Sequence, residues 1–205
     1  MRCEMVKNQI EARGIRDSDV LAAMRTVERH KFVPMVSTES AYADSPLPIG
    51  YGQTISQPFV VAFMTEYLKL NQSDSVLEIG TGSGYQAAIL AELVKDVYSI
   101  EIVPELAISA EDLFVELGYI NISVKCDDGY HGWSNYAPFE AIIVTAAAET
   151  VPKPLIQQLK DGGRMIIPIG PKYLSQELML IQKVGADINV KSVLPVRFVP
   201  FTRSQ

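Results

Sequence analysis

Residues 76–90, VLEIGTGSGYQAAIL, constrain the fold of this chain more than any other stretch. Apolar Val76, Leu77 and Ile79 around one acid, Glu78, read as a buried strand. Gly80, Gly82 and Gly84 then alternate with Thr81 and Ser83, and helical composition follows from Tyr85 to Leu93. A buried strand, a glycine turn and a helix start, in that order, place a ligand site at the carboxyl edge of a parallel sheet. Glycine reaches positive φ and lets a ligand approach the backbone, and the first turn of the helix leaves N–H groups free. The spacing is G-x-G-x-G with Tyr85 next, so the G-x-G-x-x-G dinucleotide fingerprint is not met, and a phosphate loop would need a G-K-[ST] ending. A nicotinamide dehydrogenase is disfavoured on that ground.

The remaining composition narrows the class. With 205 residues the chain can build one domain with a real core, and 48% hydrophobic and 20% charged residues are those of an ordinary globular protein. A formal charge of -6 disfavours a basic nucleic-acid-binding face. Cys3 and Cys126 are far apart and outside any C-x-x-C pattern, so neither a disulfide nor a metal site is expected. No apolar run reaches transmembrane length, and the first residues, with Glu4, lack a signal-peptide pattern; a cytoplasmic location is the expectation.

Taken in order, residues 2–13 have helical character, with Met5, Gln9 and Ala12 near one face and Gly14 as the stop. Asp17 is placed to cap a second helix that carries Val20, Leu21, Met24 and Val27 at helical spacing. His30, in HKFVP, is expected to pack locally, because no Asp/Glu/His cluster sits at ligand spacing around it. Residues 41–49 contain Pro46 and Pro48 and are expected to be a non-helical connector. In GYGQTISQP, residues 50–58, Pro58 suits the first turn of a helix expected over 59–70. Ser56 or Gln57 would cap that helix, while Thr54, Ser56 and backbone N–H groups would equally serve as a pocket wall offering donors to an anion.

Residues 97–100 form the second sheet strand, and Glu101 at its end lies about 20 residues past the glycine turn, where an acid accepts hydrogen bonds from a ribose diol. Pro104 opens the next helix, which Gly118 stops after Leu117. A short strand over 122–125 leads to Asp127, Asp128 and Gly129, which either face an adenine amino group or are turn residues. Residues 139–145 are a continuous apolar strand, small residues at 146–149 leave room above the sheet, and a helix over 152–159 turns at Gly162 and Gly163 into a strand over 164–169. Residues 178–184 and 190–199 read as two strands joined by GADIN, with Pro195 and Pro200 favouring an edge. The result is an α/β chain: a doubly wound, mostly parallel seven-stranded sheet with an antiparallel C-terminal strand pair and an N-terminal helical extension. One domain is expected over 1–205, with the extension and substrate loop in 1–70 and the sheet core in 71–205.

The glycine loop resembles that of S-adenosylmethionine-dependent methyltransferases. Residues 50–58, 77–91 and 139–170, with HKFVP at 30–34 and LPIG at 47–50, are similar to the protein-L-isoaspartate O-methyltransferase family over nearly the whole chain. The resemblance implies a methyltransferase fold and carboxyl methylation of L-isoaspartyl and, less well, D-aspartyl residues in damaged proteins. The implied cofactor is S-adenosyl-L-methionine, with S-adenosyl-L-homocysteine as product. It makes Ser56 the residue beside the substrate carboxylate and the transferable methyl. Thr54 and Ile55 join the same wall, and Val199, Pro200 and Thr202 fall in the segment near the bound peptide. Gly80, Thr81, Gly82, Ser83, Gly84 and Tyr85 match the cofactor loop, Glu101 the ribose-binding acid, and Asp128 and Gly129 the turn near the adenine. Asp127 stands where that turn usually has glycine, a position that would be strained if it required positive φ. The implied partners are isoaspartyl-containing proteins, without nucleic acid or membrane, and a monomer is expected.

The chemistry agrees. A carboxylate nucleophile is already ionised at neutral pH, so the pocket needs alignment and exclusion of water and no strong base. Glu78 would face the amino-acid part of the cofactor or organise the loop by accepting its N–H bonds. Two alternatives are a methyltransferase for another acceptor and a non-catalytic adaptor binding cofactor or damaged peptides. An amino-nucleobase acceptor is disfavoured by TAAAE at 145–149, and an intact Ser56 loop argues against the adaptor.

Overall fold

The computed structural model describes residues 1–172 and 174–204. One end of the chain is helical: α1 (Arg2–Met5) runs through a π-helical stretch (Val6–Ile10) and a 3-10 turn (Glu11–Arg13) to Gly14, whose φ of 103° ends it. The wider π turn changes which residues share a face. Met5, Val6 and Ile10 are buried and Ala12 is exposed, against the expected Met5–Gln9–Ala12 stripe. Asp17 caps α2 (Ser18–Thr26) by accepting from the backbone N–H of Asp19 and Val20, and Val20, Leu21, Met24 and Val27 are all buried.

A short helix, α3 (Thr38–Ala41), precedes a hairpin of β1 (Leu47–Gly50) and β2 (Gln53–Ile55), which occupies ground expected to be connector and loop. The hairpin turn carries Gly50, Tyr51 and Gly52 at φ of 90°, 53° and 70°, which explains the paired glycines. Helix α4 (Pro58–Leu68) follows, with Pro58 at its first position, and stops two residues before the expected Leu70 because Lys69 turns left-handed at φ 55°.

The main sheet has seven strands: β3 (Ser75–Ile79), β4 (Asp96–Glu101), β5 (Ile122–Cys126), β6 (Phe139–Val144), β7 (Leu159–Ile169), β8 (Gln176–Val184) and β9 (Asp187–Val196). Their order is β5-β4-β3-β6-β7-β8-β9, with the first five parallel and each of the last two antiparallel to its neighbour. Helices α5 (Tyr85–Ala91), α6 (Pro104–Leu117) and α7 (Lys153–Gln158) make the crossovers. The chain leaves β3 toward β4 and later returns on its other side as β6, so the loops after β3 and β6 meet at a topological switch point. Side chains alternate between two cores. Val76, Ala141 and Ile143 join the N-terminal helices, α4 and α5, and Leu77, Ile79, Ile142 and Val144 join α7.

Three boundaries differ from expectation at the carboxyl end. Strand β7 starts at Leu159, directly after α7, and Gly162 and Gly163 lie inside a bulged stretch of it. The β8–β9 turn is only Gly185 and Ala186, so most of GADIN is strand, paired from Val184 with Asp187 onward. Strand β9 ends at Val196 rather than Val199; beyond it, Pro200 bridges Ala147. Pro195 lies on the sheet's edge strand, where its missing N–H costs nothing.

Candidate active site

Thr54 and Ser56 face outward and Ile55 inward, as strand alternation requires. Ile55 is buried in the core, while Thr54 and Ser56 line a cleft of about 510 Å³ closed on the far side by Val199 and the segment before it. The Ser56 hydroxyl makes no hydrogen bond to another described residue. Neither Ser56 nor Gln57 caps α4 with its side chain; the cap comes from Asp44, whose Oδ1 accepts the Phe59 N–H at 3.1 Å. The cleft's described lining has two arginines, Arg13 and Arg197, and no carboxylate, an anion-favouring inset in a chain of charge -6.

Behind this wall lies the glycine loop. Gly80, Gly82 and Gly84 have φ of 97°, 54° and 87°. A methyl group on Gly80 would overlap the Thr145 hydroxyl, and one on Gly129 would overlap the Ile79 side chain, so glycine at both positions is what lets these strand ends pack closely. Gly80, Gly82, Glu101, Gly129, Val199, Pro200 and Thr202 line one small cavity, and Gly80, Thr81, Gly82, Ser83, Tyr85 and Ser56 line the next. Thr54 and Thr145 border both of these and the cleft, which makes them the hinge of the whole site. Thr145 donates to the carbonyl of Gly80 at 2.7 Å. No motif marks Thr145 in the sequence; its one signal there is a hydroxyl at the carboxyl end of a central parallel strand.

Glu101 organises the loop. Its Oε2 accepts the Gly82 N–H at 2.8 Å and its Oε1 the N–H groups of Ile102 and Val103 at 2.9 and 3.0 Å. That is the task considered for Glu78, which is placed elsewhere: it is fully buried, lines none of the three cavities, and accepts from the Ser99 hydroxyl at 2.5 Å. Ser99 in turn meets the Thr81 hydroxyl at 2.5 Å, so Glu78 reaches the loop only through two hydroxyls. Burial pushes its carboxyl up to about 8, against the Ser99 hydrogen bond and with help from Glu101. Tyr85 is mostly core, its ring against Phe32 and Arg29.

Asp128 is buried and turned toward the chain's own end. Its Oδ1 accepts the Tyr130 N–H, and its Oδ2 pairs with Arg203 at 2.8 Å and accepts from Ser204. Burial raises its carboxyl, but Arg203 and the other donors outweigh that and hold it below the usual range. Asp127 is not among the positive-φ residues, so the turn does not need the glycine it replaces; its carboxylate pairs with Lys125. Ala147 is covered by the terminal segment, exchanging backbone bonds with Val199 and Phe201, so the room expected above 146–149 is confined to Ala146. His30 bonds the Tyr42 hydroxyl at 2.8 Å. Among the described residues no cluster of three His, Cys, Asp or Glu side chains is arranged to hold a metal, and no helix is long and apolar enough to cross a membrane.

A glycine loop at the switch point, a carboxylate at the end of the next strand and a donor-lined cleft against both define an S-adenosylmethionine-dependent methyltransferase fold. The model of the family described as protein-L-isoaspartate(D-aspartate) O-methyltransferase matches residues 1–205, and the chain belongs to that family. A protein-L-isoaspartate O-methyltransferase of Opitutus terrae is 54% identical over 204 residues, covering 100% of this chain and 88% of the relative. A solved protein-L-isoaspartate O-methyltransferase superposes with a TM-score of 0.89 at 29% identity, over 98% of this chain and 65% of its own. A Plasmodium falciparum member crystallised in complex with S-adenosyl-L-homocysteine gives 0.86 at 27% identity, over 99% of each chain.

Proposed function

We propose that this chain transfers a methyl group from S-adenosyl-L-methionine to the free carboxylate of L-isoaspartyl residues, and less well D-aspartyl residues, in damaged proteins and peptides. The observation that carries the reading is the convergence of the donor-lined cleft and the glycine-loop cavities on Thr54 and Thr145. The loop fits the cofactor by its residues: Gly80 and Gly129 line the small cavity at positions packed too closely on Thr145 and Ile79 for any side chain, and the Glu101 carboxylate lines the same cavity beside the Gly82 N–H, where it would accept from a ribose diol.

When bound, S-adenosyl-L-methionine supplies an electrophilic methyl on a sulfonium and leaves as the neutral thioether S-adenosyl-L-homocysteine. The chain's residues do the rest by position. Gly80 and Gly82 with Glu101 and Gly129 would hold the nucleoside side, and Thr54 and Ser56 would donate to the acceptor carboxylate. Arg13 and Arg197 add positive potential to the cleft that the anion enters. Val199 lines both the cleft and the small cavity, Pro200 and Thr202 the cavity, and the three would help exclude water once the ligands are bound. The acceptor oxygen carries no proton at neutral pH, and the site accordingly presents hydroxyls rather than a histidine base.

In this reading the protein is a cytoplasmic, monomeric, single-domain repair enzyme that works without metal, nucleic acid or membrane. The decisive experiment offers labelled S-adenosyl-L-methionine to two peptides that differ only in one L-isoaspartyl or L-aspartyl residue. Base-labile label on the isoaspartyl peptide alone is the expected result. Label on neither, with cofactor binding intact, would overturn the assigned acceptor.

A further inference from the structure

We infer that Asp44 is a positioning residue for methyl transfer: it clamps the joint that carries Ser56 and couples that joint, through the buried Arg29, to the helix behind the glycine loop. The inference rests on the methyl-transfer reading above. Strand β2 ends at Ile55 and α4 begins at Pro58, so Ser56 and Gln57 form a joint without regular structure. No side chain within the joint fixes it, since Gln57 makes no cap bond and Pro58 has no N–H. Asp44 does so from fifteen residues upstream of Phe59. Its Oδ1 takes the Phe59 N–H at 3.1 Å, and its Oδ2 takes the Gln57 side-chain amide at 2.7 Å and Arg13 at 2.6 Å. The Arg13 guanidinium then lies 3.5 Å from the Phe59 ring centroid. One carboxylate thus fixes both the residue after Ser56 and the first free N–H of α4.

Asp44 is itself held by a side chain with no exposure. Arg29 donates to the carbonyl of Ala41 at 2.8 Å and to that of Ser45 at 3.4 Å, on either side of Asp44. Its guanidinium also sits 4.9 Å from the ring centroid of Tyr85, the first residue of α5 after the glycine loop. Burial draws Arg29 down to about 10, which leaves it cationic at neutral pH. The two carbonyl bonds and the ring contact hold the guanidinium from three sides, although its buried Nη1 meets no hydrogen-bond partner among the described residues. The acceptor wall and the cofactor loop are therefore set relative to each other by Tyr85, Arg29 and Asp44, and neither Arg29 nor Asp44 lines the cleft or the glycine-loop cavities. The Arg13 pair is half exposed and adds little by itself.

The test compares Asp44→Ala and Asp44→Asn with the parent protein. Asn keeps one oxygen for the Phe59 N–H and loses the pairing with Arg13, so it should rescue part of the alanine defect. We expect kcat/KM for an isoaspartyl peptide to fall roughly 5- to 30-fold in Asp44→Ala and less in Asp44→Asn. The loss should lie in peptide KM, with the S-adenosyl-L-homocysteine Kd by calorimetry within about twofold of the parent. Amide exchange at Phe59, measured without substrate, should accelerate in the same order. Unchanged peptide KM in both Asp44 variants overturns the inference, even with faster exchange at Phe59, because Asp44 would then be only a helix cap. Cofactor Kd and peptide KM rising in parallel overturns it too, since that is general loosening. Should Asp44→Ala not fold, Asp44→Asn carries the same comparison. A parent protein inactive on isoaspartyl peptides would instead refute the proposed function, and the exchange order would still decide whether Asp44 clamps the joint.

Discussion

Ser56 and Glu78 show two ways a polar side chain serves a site. Ser56 is partly exposed, unpartnered among the described residues and part of the cleft lining, so its contribution is made only when an acceptor is present. One hydrogen bond to a charged group is worth roughly 1.5–3 kcal/mol, so Ser56→Ala should lower kcat/KM about 10- to 150-fold and leave activity measurable. Unchanged kcat and peptide KM would remove Ser56 from the mechanism. Glu78 is the opposite case, sealed in the core with a carboxyl pushed to about 8 from 4.5. Between those two values the native state holds a proton that the unfolded chain releases. The stability this gives is complete below about 4.5 and is lost as pH rises through about 8. Glu78→Gln removes that dependence. Urea unfolding from pH 5 to 9 should therefore show a steeper decline for the parent than for the variant, and parallel declines would mean that Glu78 ionises normally. The acid in LEIG was visible in the sequence, but its orientation was not: strand alternation sends it to the face opposite Leu77 and Ile79, away from the cavities.

Among the elements, local signals worked where the partners are local. Asp17 before α2, Pro104 and Gly118 around α6, and Pro58 at the start of α4 all do what short-range chemistry requires of them. Asp17→Ala loses two bonds to free N–H groups of the first turn and should cost about 1 kcal/mol, or roughly 2–4 °C in Tm. A melting temperature unchanged by that substitution would show that α2 is held by its buried face alone. Local signals failed where the partner is distant. The cap of α4 comes from Asp44, which no window around Ser56 contains. The hairpin of β1 and β2 was hidden because two prolines made residues 41–49 look like connector, although Pro48 is tolerated in a two-stranded sheet with free edges. The π turn in residues 6–10 shifted a buried face that a 3.6-residue period placed wrongly.

At the scale of the whole molecule, the site is assembled from loops after β3, β4, β5 and β6 together with the hairpin and the terminal segment. A ligand bridging so many separate stretches stabilises the fold as a unit. S-adenosyl-L-homocysteine at about 100 times its Kd should add about 2.7 kcal/mol and raise Tm by roughly 5–10 °C. No shift at that concentration would contradict binding to the folded protein. The sequence by itself determined the sheet and its ligand edge. The order of buried strands, glycine turn and crossover helices is written in nearest-neighbour terms of periodicity, capping and chain direction, and one acid at the end of β4 marks the same edge. Only the tertiary structure decided which polar groups are shared across that edge. Glu101 rather than Glu78 holds the loop, Asp128 binds Arg203, Thr145 stands between the cavities, and Asp44 fixes the acceptor wall. The reason is physical: a buried donor or acceptor must be satisfied by whatever folding brings beside it, and that neighbour is set by packing of the whole chain rather than by distance along it.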